Sequence, residues 1–447
     1  MKKYKTSQYN YSIDYKGKKL LFNGVTGAGF CMTTGEMDIL LPLLTDLEQF
    51  QTQYPDDFKR LEKLGYIISE ERNELEYLKF KHHEAVFLNK NYRIFVNPTQ
   101  DCNFNCWYCC QEHPKGYMSE ETIDRLKKHL KFKVKNKEIT SLNLSWFGGE
   151  PLLYFYEVVY PLAKFAKELC EKNNIPFIST MTTNGYRMDE EMIKKMSQID
   201  LYQFQITLDG HRERHDKIRN ENGTPSYDKI IENINLLYKH IDNAGITLRI
   251  NYDNQTLKNK QAEAILNDIA PENRSKIHID LQRVWQTVEQ KSEQSAENVS
   301  SWISTAKNLG YNNISHIGGV TVGQFHNCYV SKYNHIEINY DGKVYKCTAR
   351  SYTEPYEMGE MSEDGTIKWN EDRISKLYGS ATFDNPTCIK CAYLPLCWGT
   401  CAQKMLEYKN AGVEYLCENK NLDRAMSERI IDIYESSLYK IKQYAVT

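Results

Sequence analysis

The chain has 447 residues, more than one ordinary hydrophobic core uses, so two or three domains are expected. Hydrophobic residues at 41%, charged residues at 26% and a net charge of −2 give no sign of a nucleic-acid or anionic-membrane partner. No apolar run reaches the ~18 residues of a spanning helix, and no apolar stretch follows the basic start at Met1–Lys5, so we expect a cytoplasmic protein.

Residues 1–90 have the pattern of a small separate module. Three segments alternate like strands and two have helical patterns: Tyr9–Tyr15, Leu20–Phe22 and Phe30–Met32 as strands, then Gly35–Leu44 and Phe58–Gly65 as helices. Gly65 is placed to end the second helix. Strands followed by helices in this order predict a winged-helix-like unit.

From about residue 91 to 315, strand and helix patterns alternate. The predicted strands are Tyr92–Asn97, Ser141–Phe147, Phe177–Thr182, Tyr202–Leu208, Thr247–Tyr252 and Ile277–Gln282, and the helices between them include Ser119–Phe132, Glu157–Glu171, Tyr227–His240 and Ala296–Leu309. Six β/α units in series predict an α/β fold with a parallel sheet, wound open or as a barrel. In such barrels the chemistry lies on the loops that follow the strands.

The region from about 316 to 430 is irregular and rich in cysteine, and a helix is predicted from Asn421 to about Tyr444. Of thirteen cysteines in the chain, three lie between 102 and 109, five between 388 and 417, and none between 170 and 328. In a reducing compartment, clustered cysteines bind metal more often than they form disulfides. A disulfide-rich secreted protein is the alternative, and it lacks the export signal it needs.

Cys102, Cys106 and Cys109 follow the first strand of the β/α series with the spacing Cys-x3-Cys-x2-Cys. Four thiolates saturate a [4Fe–4S] cluster, so a group of three leaves one iron open. A zinc site is the alternative, although no fourth Cys or His with zinc spacing is obvious. Cys110 is expected to be a bystander, because adjacent residues rarely bind one cluster.

Three short motifs follow the next three predicted strands. They are Gly148-Gly149-Glu150-Pro151, Thr182-Thr183-Asn184-Gly185 and Gln205-Ile206-Thr207-Leu208-Asp209-Gly210. Glycines let backbone approach a ligand closely, and the carboxylate can accept hydrogen bonds from an amino group. Each motif alone is weak, but their order, each after a predicted strand, is a strong joint signal.

Together with the cysteine triplet, these motifs resemble the radical SAM superfamily, whose signature has an aromatic residue before the last cysteine, as Tyr108 is here. The resemblance implies a partial (β/α)6 barrel, a [4Fe–4S] cluster on Cys102, Cys106 and Cys109, and S-adenosyl-L-methionine chelating the open iron. Cleavage of the S–C5′ bond then yields a 5′-deoxyadenosyl radical. The cofactor-binding residues it implies are Tyr108, Gly148, Gly149, Glu150, Pro151, Asn184, Thr207, Asp209 and Arg219, with Glu150 near the methionyl amine and Arg219 near the carboxylate.

Seven later cysteines form a second pattern, Cys328-x13-Gly342-x4-Cys347, then Cys388-x2-Cys391-x5-Cys397-x3-Cys401 and Cys417. The pattern resembles the SPASM extension of radical SAM maturases, which holds two auxiliary [4Fe–4S] clusters, so three clusters are implied in all. By the family's pattern, Cys388, Cys391, Cys397 and Cys417 saturate one cluster, and Cys328, Cys347 and Cys401 hold the other.

The three-cysteine auxiliary site is one protein ligand short. Either another residue closes it, with His326 near in sequence, or an iron stays open, which a soft substrate thiolate would suit. Cys31 and Cys170 are expected to be packed small hydrophobes.

The module at 1–90 resembles the peptide recognition element of ribosomal peptide maturases, which takes a leader peptide as an extra strand. An unrelated cap on the barrel is the alternative. The predicted division is therefore 1–90 for peptide recognition, 91–315 for the radical SAM barrel, 316–430 for the SPASM domain and 431–447 for a C-terminal helix.

The resemblance implies a radical SAM/SPASM peptide maturase that abstracts hydrogen from a precursor peptide with a leader sequence. A thioether from cysteine sulfur to carbon is the expected cross-link, and a C–C or C–O bond comes next. The alternatives are a sulfatase-maturing oxidase, which forms formylglycine, and a non-catalytic cluster-binding peptide carrier. An electron donor such as flavodoxin or ferredoxin is implied, and no residue is singled out as the general base.

Overall fold

The computed structural model describes residues 3–253, 261–284, 293–315, 322–379, 382–413, 417 and 422–444. It contains two compact units. The terminal unit comprises Met1–Asn89, Gly319–Tyr333 and Ser375–Thr447, and the sheet unit comprises Lys90–Gly318 and Asn334–Ile374. The division into four functional parts remains a prediction, since these units group the chain by packing. Residue 316, where the cysteine-rich part was predicted to begin, and residues 445–447 of the predicted last helix lie outside the described residues.

The first part of the terminal unit contains the predicted strands and helices in the predicted order, together with a first strand and a second helix that were not predicted. Its elements are β1 (Tyr4–Thr6), β2 (Asn10–Tyr15), β3 (Lys18–Asn23), β4 (Gly29–Met32), α1 (Thr34–Leu43), α2 (Leu47–Gln53), α3 (Pro55–Leu64), β5 (Ile67–Ser69) and α4 (Glu74–His83). Strands β2, β3 and β4 form an antiparallel sheet, and β1 pairs separately with β5. Thr33 and Glu36 form a capping box that starts α1, and Gly65 ends α3 in the left-handed conformation, as predicted.

The sheet unit is built on one mixed sheet of eleven strands. The strands of the unit are β6 (Asn91–Val96), β7 (Ser141–Trp146), β8 (Phe177–Thr183), β9 (Leu201–Leu208), a small hairpin β10 (Asn220–Glu221) and β11 (Thr224–Pro225), then β12 (Gly245–Tyr252), β13 (Ile277–Arg283), β14 (Asn313–Ser315), β15 (His335–Ile338), β16 (Lys343–Tyr345), β17 (Gly359–Met361) and β18 (Ile367–Trp369). The large sheet has the order β14-β13-β12-β9-β8-β7-β6-β15-β16-β17-β18. All six predicted strands are present and parallel.

Helices connect the parallel strands of this sheet. They are α5 (Glu120–Lys135), α6 (Tyr160–Lys172), α7 (Glu190–Gln198), α8 (Arg212–Ile218), α9 (Tyr227–His240), α10 (Gln261–Asp268), α11 (Pro271–Arg274) and α12 (Glu293–Asn308). The strands follow one another in space as they do in sequence, so right-handed crossovers place the helices on one side. Helices α5, α6, α7 and α9 accordingly contact their neighbours in that order. Within the described residues β14 and β6 do not pair, so the wall is that of an open, partial barrel.

The two faces of the parallel sheet differ in character. Alternate residues facing the helices are apolar and buried, as at Leu144, Met181, Ile206, Leu248 and Ile279. Residues of the other face are polar and only partly buried, as at Asn143, Thr180, Gln205, Arg249 and Asp280. A parallel sheet covered on both faces would have nearly continuous hydrophobic strands. The polar face is therefore suited to line a chamber rather than a packed core.

The C-terminal part of the chain is mainly helical. Its helices are α13 (Glu371–Tyr378), α14 (Pro386–Ile389), α15 (Leu394–Cys397), α16 (Ala402–Asn410) and α17 (Leu422–Tyr444). None of the helices in the described part of the chain is long and apolar enough to cross a membrane.

The three-stranded sheet of the terminal unit is covered on both faces. On one face, Leu21 packs with residues of α1 and α3. On the other, Leu20 and Phe22 belong to a core that includes Leu396 of α15 and Ile430 of α17. The first ninety residues therefore share a hydrophobic core with the C-terminal helices.

Candidate functional site

Residues 97–119 form the loop between β6 and α5, and they carry the first three cysteines. Asn97 at the start of the loop is fully buried, whereas Cys102 and Cys106 are half-buried and Cys109 is exposed. The charge on Cys106 acts on Cys102, and the charge on Cys109 acts on Cys106. The three thiols therefore lie near one another along a short stretch of loop.

The protonation of these thiols is set by burial and by His113. Burial, followed by the charge on Glu150, raises the pKa of Cys102 to about 12, and burial also raises the pKa of Cys106. Burial works against the Cys109 thiolate too, but the hydrogen bond with His113 lowers its pKa overall. The Nδ1 of His113 donates to the carbonyl oxygen of Gln100 over 3.0 Å, which leaves Nε2 for the thiol.

The loop after β7 is in backbone contact with the cysteine loop. The amide of Gly149 donates to the carbonyl of Thr99 over 3.1 Å, and the amide of Glu150 donates to the carbonyl of Asp101 over 2.8 Å. A Cβ on Gly149 would collide with the Asp101 carbonyl, and one on Gly148, where φ is +104°, would collide with the Thr99 carbonyl. The two glycines therefore permit a contact that no larger residue would allow.

The buried carboxylate of Glu150 connects the loop after β7 to the loop after β8. Its Oε1 accepts hydrogen bonds from the Leu152 amide over 3.0 Å and from Thr183 Oγ1 over 2.7 Å, and its Oε2 accepts from the Asn184 amide over 2.7 Å. Asn184 Nδ2 in turn donates to Asn103 Oδ1 over 2.8 Å, in the cysteine loop. Burial raises the pKa of Glu150 although these bonds oppose the rise. The binding of a methionyl amine by Glu150 stays a prediction, because these contacts are internal.

Tyr108, Asp209 and Arg219 meet in a buried polar group. Arg219 Nε lies 2.7 Å from Asp209 Oδ2, and Arg219 Nη2 donates to the Tyr108 hydroxyl over 2.7 Å. The Tyr108 hydroxyl donates to Asp209 Oδ2 and accepts from Asn251 Nδ2 over 3.1 Å. Asp209 is 1% exposed, and its Oδ1 has no hydrogen-bond partner among the described residues. That oxygen is a ready acceptor for an amine or hydroxyl group of a ligand.

His215 holds the backbone around this group. The Asp209 amide donates to His215 Nδ1 over 3.2 Å, and His215 Nε2 lies 3.0 Å from Ser226 Oγ, which donates to the Arg219 carbonyl. Burial, together with the charge on Arg219, lowers the pKa of His215 to about 3. A neutral ring with its proton on Nε2 satisfies all of these bonds. No motif singled out His215, His113 or Asn251, so sequence reasoning missed all three.

The remaining predicted contacts lie on the same edge of the sheet or beside it. Pro151 is buried and begins a short 3-10 turn after β7. Thr207 is buried near the end of β9 and is in register with Arg249 on the polar face. Because the strands are parallel, the loops after them meet at one edge.

Cys388, Cys391, Cys397 and Cys417 come together in the terminal unit, and their joint binding of a cluster stays a prediction. The charges on the other three thiols act on Cys388, and those on Cys391 and Cys417 act on Cys397. Cys388 is 8% exposed, and burial with these neighbours raises its pKa to about 11. Buried thiols in one place require a positive group to become thiolates, which suits an iron–sulfur cluster.

The other predicted auxiliary set is divided between the two units. Cys328 and Cys401 belong to the terminal unit, where Asn327 Nδ2 donates to the Gly399 carbonyl over 3.1 Å and links their segments. Cys347 belongs to the sheet unit and follows β16. This ligand set therefore stays a prediction. His326 is 2% exposed, its Nδ1 has no hydrogen-bond partner in the described part of the chain, and burial lowers its pKa to about 4.

The candidate donors are free cysteine thiols, the usual protein ligands of iron–sulfur clusters. Within the described ranges, no three His, Cys, Asp or Glu side chains converge on a position that holds one metal ion. A zinc site needs four ligands on one atom. In a cluster each thiolate binds a separate iron, so its cysteines are spread more widely.

Comparison with known proteins identifies the central part of the chain. Residues 96–262 match the sequence model of the Radical SAM superfamily. These residues are a radical SAM domain. They contain the cysteine loop, the Gly148-Gly149-Glu150 loop and the Asp209–Arg219 pair, so the motifs quoted from the sequence lie within the matched stretch.

Individual relatives agree with this domain. A serine-type anaerobic sulfatase-maturating enzyme from Bacteroides thetaiotaomicron is 30% identical over 152 residues, 31% of this chain, and the match spans 34% of that enzyme's length. Native anSMEcpe with bound AdoMet and Cp18Cys peptide has a TM-score of 0.57 at 17% identity, over 79% of this chain and 99% of that one. Streptococcus suis SuiB has a TM-score of 0.50 at 16% identity, over 93% and 99%. At these identities the two structures establish a shared fold.

We expect Gly149→Ala to destabilise the protein by about 1–3 kcal/mol, because the new methyl group must push the two loops apart. The radical SAM domain should also lose iron. Gly35→Ala is the matched control, since a Cβ there meets open space in α1. Chemical denaturation and iron content of anaerobically purified protein are the measurements. Equal values for the two variants would contradict the close backbone contact.

We expect Asp209→Asn to lower the free energy of unfolding by ~3–5 kcal/mol, because it leaves the buried guanidinium of Arg219 without a counter-charge. The control is Asp228→Asn, which breaks an exposed pair with Arg212 and should cost less than about 1 kcal/mol. Urea denaturation of the cofactor-free protein measures both. A loss for Asp209→Asn no larger than the control's would show that Arg219 is stabilised in another way.

Proposed function

We propose that the chain is a radical S-adenosylmethionine enzyme that modifies a ribosomally made precursor peptide. The observation that carries the proposal is the hydrogen-bonded edge at which the cysteine loop, the Gly149 loop, the Asn184 loop and the Asp209–Arg219 pair meet. The Radical SAM match covers this edge.

The residues of this edge have separable tasks. When bound, a [4Fe–4S] cluster with S-adenosylmethionine supplies a 5′-deoxyadenosyl radical. His113 favours the thiolate of Cys109, and Gly149 holds the cysteine loop in place by its backbone. Asp209 presents its unpaired Oδ1 to a ligand amine or hydroxyl, while Arg219 and Tyr108 fix the other oxygen. Holding the bound cofactor in one orientation keeps the reactive radical close to one target atom.

The polar face of the sheet supports a substrate with polar groups. Arg249 donates through Nε to Asn251 Oδ1 over 3.1 Å, and Asn251 also reaches the Tyr108 hydroxyl. The face is therefore linked by hydrogen bonds to the proposed cofactor site. A substrate lying on this face would be within the same network.

A peptide substrate is supported by the sheet of the terminal unit. Among the described residues β4 pairs only with β3, so its outer edge is free for an added strand. Phe30 and Met32 of β4 pack against the core of α1–α3, which places a half-buried apolar strip beside that edge. An edge with such a strip suits β-augmentation by a leader peptide. The peptide in the anSMEcpe structure supports a peptide substrate for this fold.

For the product we propose a cross-link, a cysteine thioether first and a C–C or C–O bond second. The two auxiliary clusters, one of them on Cys388, Cys391, Cys397 and Cys417, would accept the electron released as the bond forms. An electron donor such as flavodoxin or ferredoxin would reduce the first cluster.

Formylglycine formation is the second candidate, and the sulfatase-maturating relative favours it. The two functions differ in what the first ninety residues must do, since only a leader-dependent enzyme needs a free edge at β4. Mass spectrometry separates them, after incubation with a cysteine- or serine-containing sulfatase peptide and with any short precursor peptide that a neighbouring gene encodes.

We expect Cys109→Ala to abolish formation of 5′-deoxyadenosine, because it removes a proposed cluster ligand. Cys110→Ala is the matched control and should keep at least half of the wild-type rate, since it lies outside the motif. The assay is chromatography of dithionite-reduced protein with S-adenosylmethionine. Activity in Cys109→Ala, or its loss in Cys110→Ala alone, would contradict the assignment.

We expect Met32→Glu to weaken leader-peptide binding at least tenfold, because a charge on the half-buried strip is unfavourable beside an incoming apolar strand. Ser12→Glu places the same charge on an exposed position of β2 and should bind normally. Fluorescence anisotropy with labelled precursor measures affinity, and 5′-deoxyadenosine formation without peptide should be unchanged in both. Equal affinity in the two variants would exclude β4 as the binding edge.

A further inference from the structure

Strand β2 lies directly against the segment that carries Cys388, Cys391 and Cys397. The Tyr11 hydroxyl donates to the carbonyl of Ala392 over 2.6 Å, and its ring stacks on Tyr393 at 5.4 Å between centroids with 10° between planes. Residues from β2 therefore form part of the wall around the four-cysteine site.

Tyr9 is the second tyrosine of this wall, and its hydroxyl differs from that of Tyr11 in its hydrogen bonding. The residue is 1% exposed and belongs to the same apolar core as Cys388, Leu394 and Trp398. Its hydroxyl has no hydrogen-bond partner of ordinary geometry in the described part of the chain, although the Gln8 side chain lies beside it. Buried hydroxyl groups are almost always hydrogen-bonded, so this one requires an explanation.

Two groups beside this residue can supply an acceptor. The Glu74 carboxylate is one, and it already accepts from Ser7 Oγ and from the Gln8 amide. The four-cysteine site is the other. The charge on Cys391 acts on the Tyr9 ring, and Cys388 lies in its core. A tyrosine hydroxyl has one proton to donate at neutral pH. An iron–sulfur cluster brings sulfur atoms with negative charge, which accept hydrogen bonds.

We propose that Tyr9 donates a hydrogen bond to a sulfur atom of the iron–sulfur cluster held by Cys388, Cys391, Cys397 and Cys417. This inference rests on the proposed function, which includes that cluster. Hydrogen bonds to cluster sulfur stabilise the more negative, reduced state and so raise the reduction potential. Tyr9 is thus a positioning residue. Through it, the N-terminal module that we propose to bind the peptide raises the reduction potential of the electron-accepting cluster.

Arg429 of α17 approaches the same site from another element. Its Nη1 donates to the Leu396 carbonyl over 3.2 Å, and its charge interacts with Cys397. The cluster would therefore have a donor from the turn just before β2 on one side and a cation from the last helix as a second neighbour. Tyr9 is the member of this wall that can be altered without removing charge or a backbone contact.

The test compares Tyr9→Phe with Tyr11→Phe in the anaerobically reconstituted full chain. The cluster is identified as the electron paramagnetic resonance signal that Cys388→Ala removes, and its midpoint potential is measured by redox titration. In Tyr9→Phe we expect the ratio of reduced to oxidised cluster at a fixed potential to fall about tenfold, equal to a midpoint ~59 mV lower. Tyr11→Phe, which loses only a bond to backbone, should stay within about threefold of wild type.

The outcomes distinguish a failure of the Tyr9 hydrogen bond from a failure of the proposed auxiliary cluster. An unchanged midpoint in Tyr9→Phe overturns the hydrogen bond and leaves the proposed function standing. Absence of any signal that depends on Cys388 overturns the auxiliary cluster, and with it both statements. In cofactor-free protein, Tyr9→Phe should be at least as stable as wild type, because the hydroxyl is unpaired there. A loss of stability in that form would reveal another partner and overturn the inference.

Discussion

The loop after β7 approaches the backbone of the cysteine loop so closely that no side chain fits at Gly148 or Gly149, and the candidate site depends on this constraint. Gly148 and Gly149 meet it, and their contact lets the strand-end loops after β6 and β7 exchange hydrogen bonds. Glu150 then extends the connection to the loop after β8. Three loops from three strands thus behave as one layer, and the cysteines are carried on its first member.

The layer also contains buried polar groups, and these need hydrogen-bond or ion-pair partners. Glu150, Asp209 and Arg219 are all removed from water, and each is compensated by several donors or by an opposite charge. Such a network is costly when incomplete and rigid when complete. The unpaired oxygen of Asp209 is therefore informative, because a ligand that donates a hydrogen bond to it would complete the network.

The sequence predicted the parallel strands well, because their length and alternation are strong signals, and it predicted the cysteine and glycine motifs because spacing alone identifies them. It missed β1 and β14, and it was wrong about the region from 316 to 430, predicted to be irregular, where β15–β18 extend the large sheet. These strands have only three or four residues each and show no period. It also missed His113, His215 and Asn251, since their roles arise from partners that only folding brings close. The grouping of Cys388 with Cys417 followed from a family pattern and is matched by the thiols' proximity, whereas the Cys328, Cys347 and Cys401 set remains a prediction.

The core shared by Phe22 and Ile430 has a consequence for evolution and for engineering. A leader-binding module joined to its enzyme by a flexible linker could be exchanged between enzymes without disturbing the catalytic part. Here the sheet proposed to bind the leader also packs against the segment of the four clustered cysteines, so a change of peptide specificity by recombination would disturb the proposed auxiliary cluster at the same time. Divergence toward new precursors should therefore proceed by substitution along the outer edge of β4, while the buried face of the sheet changes only together with the last helix.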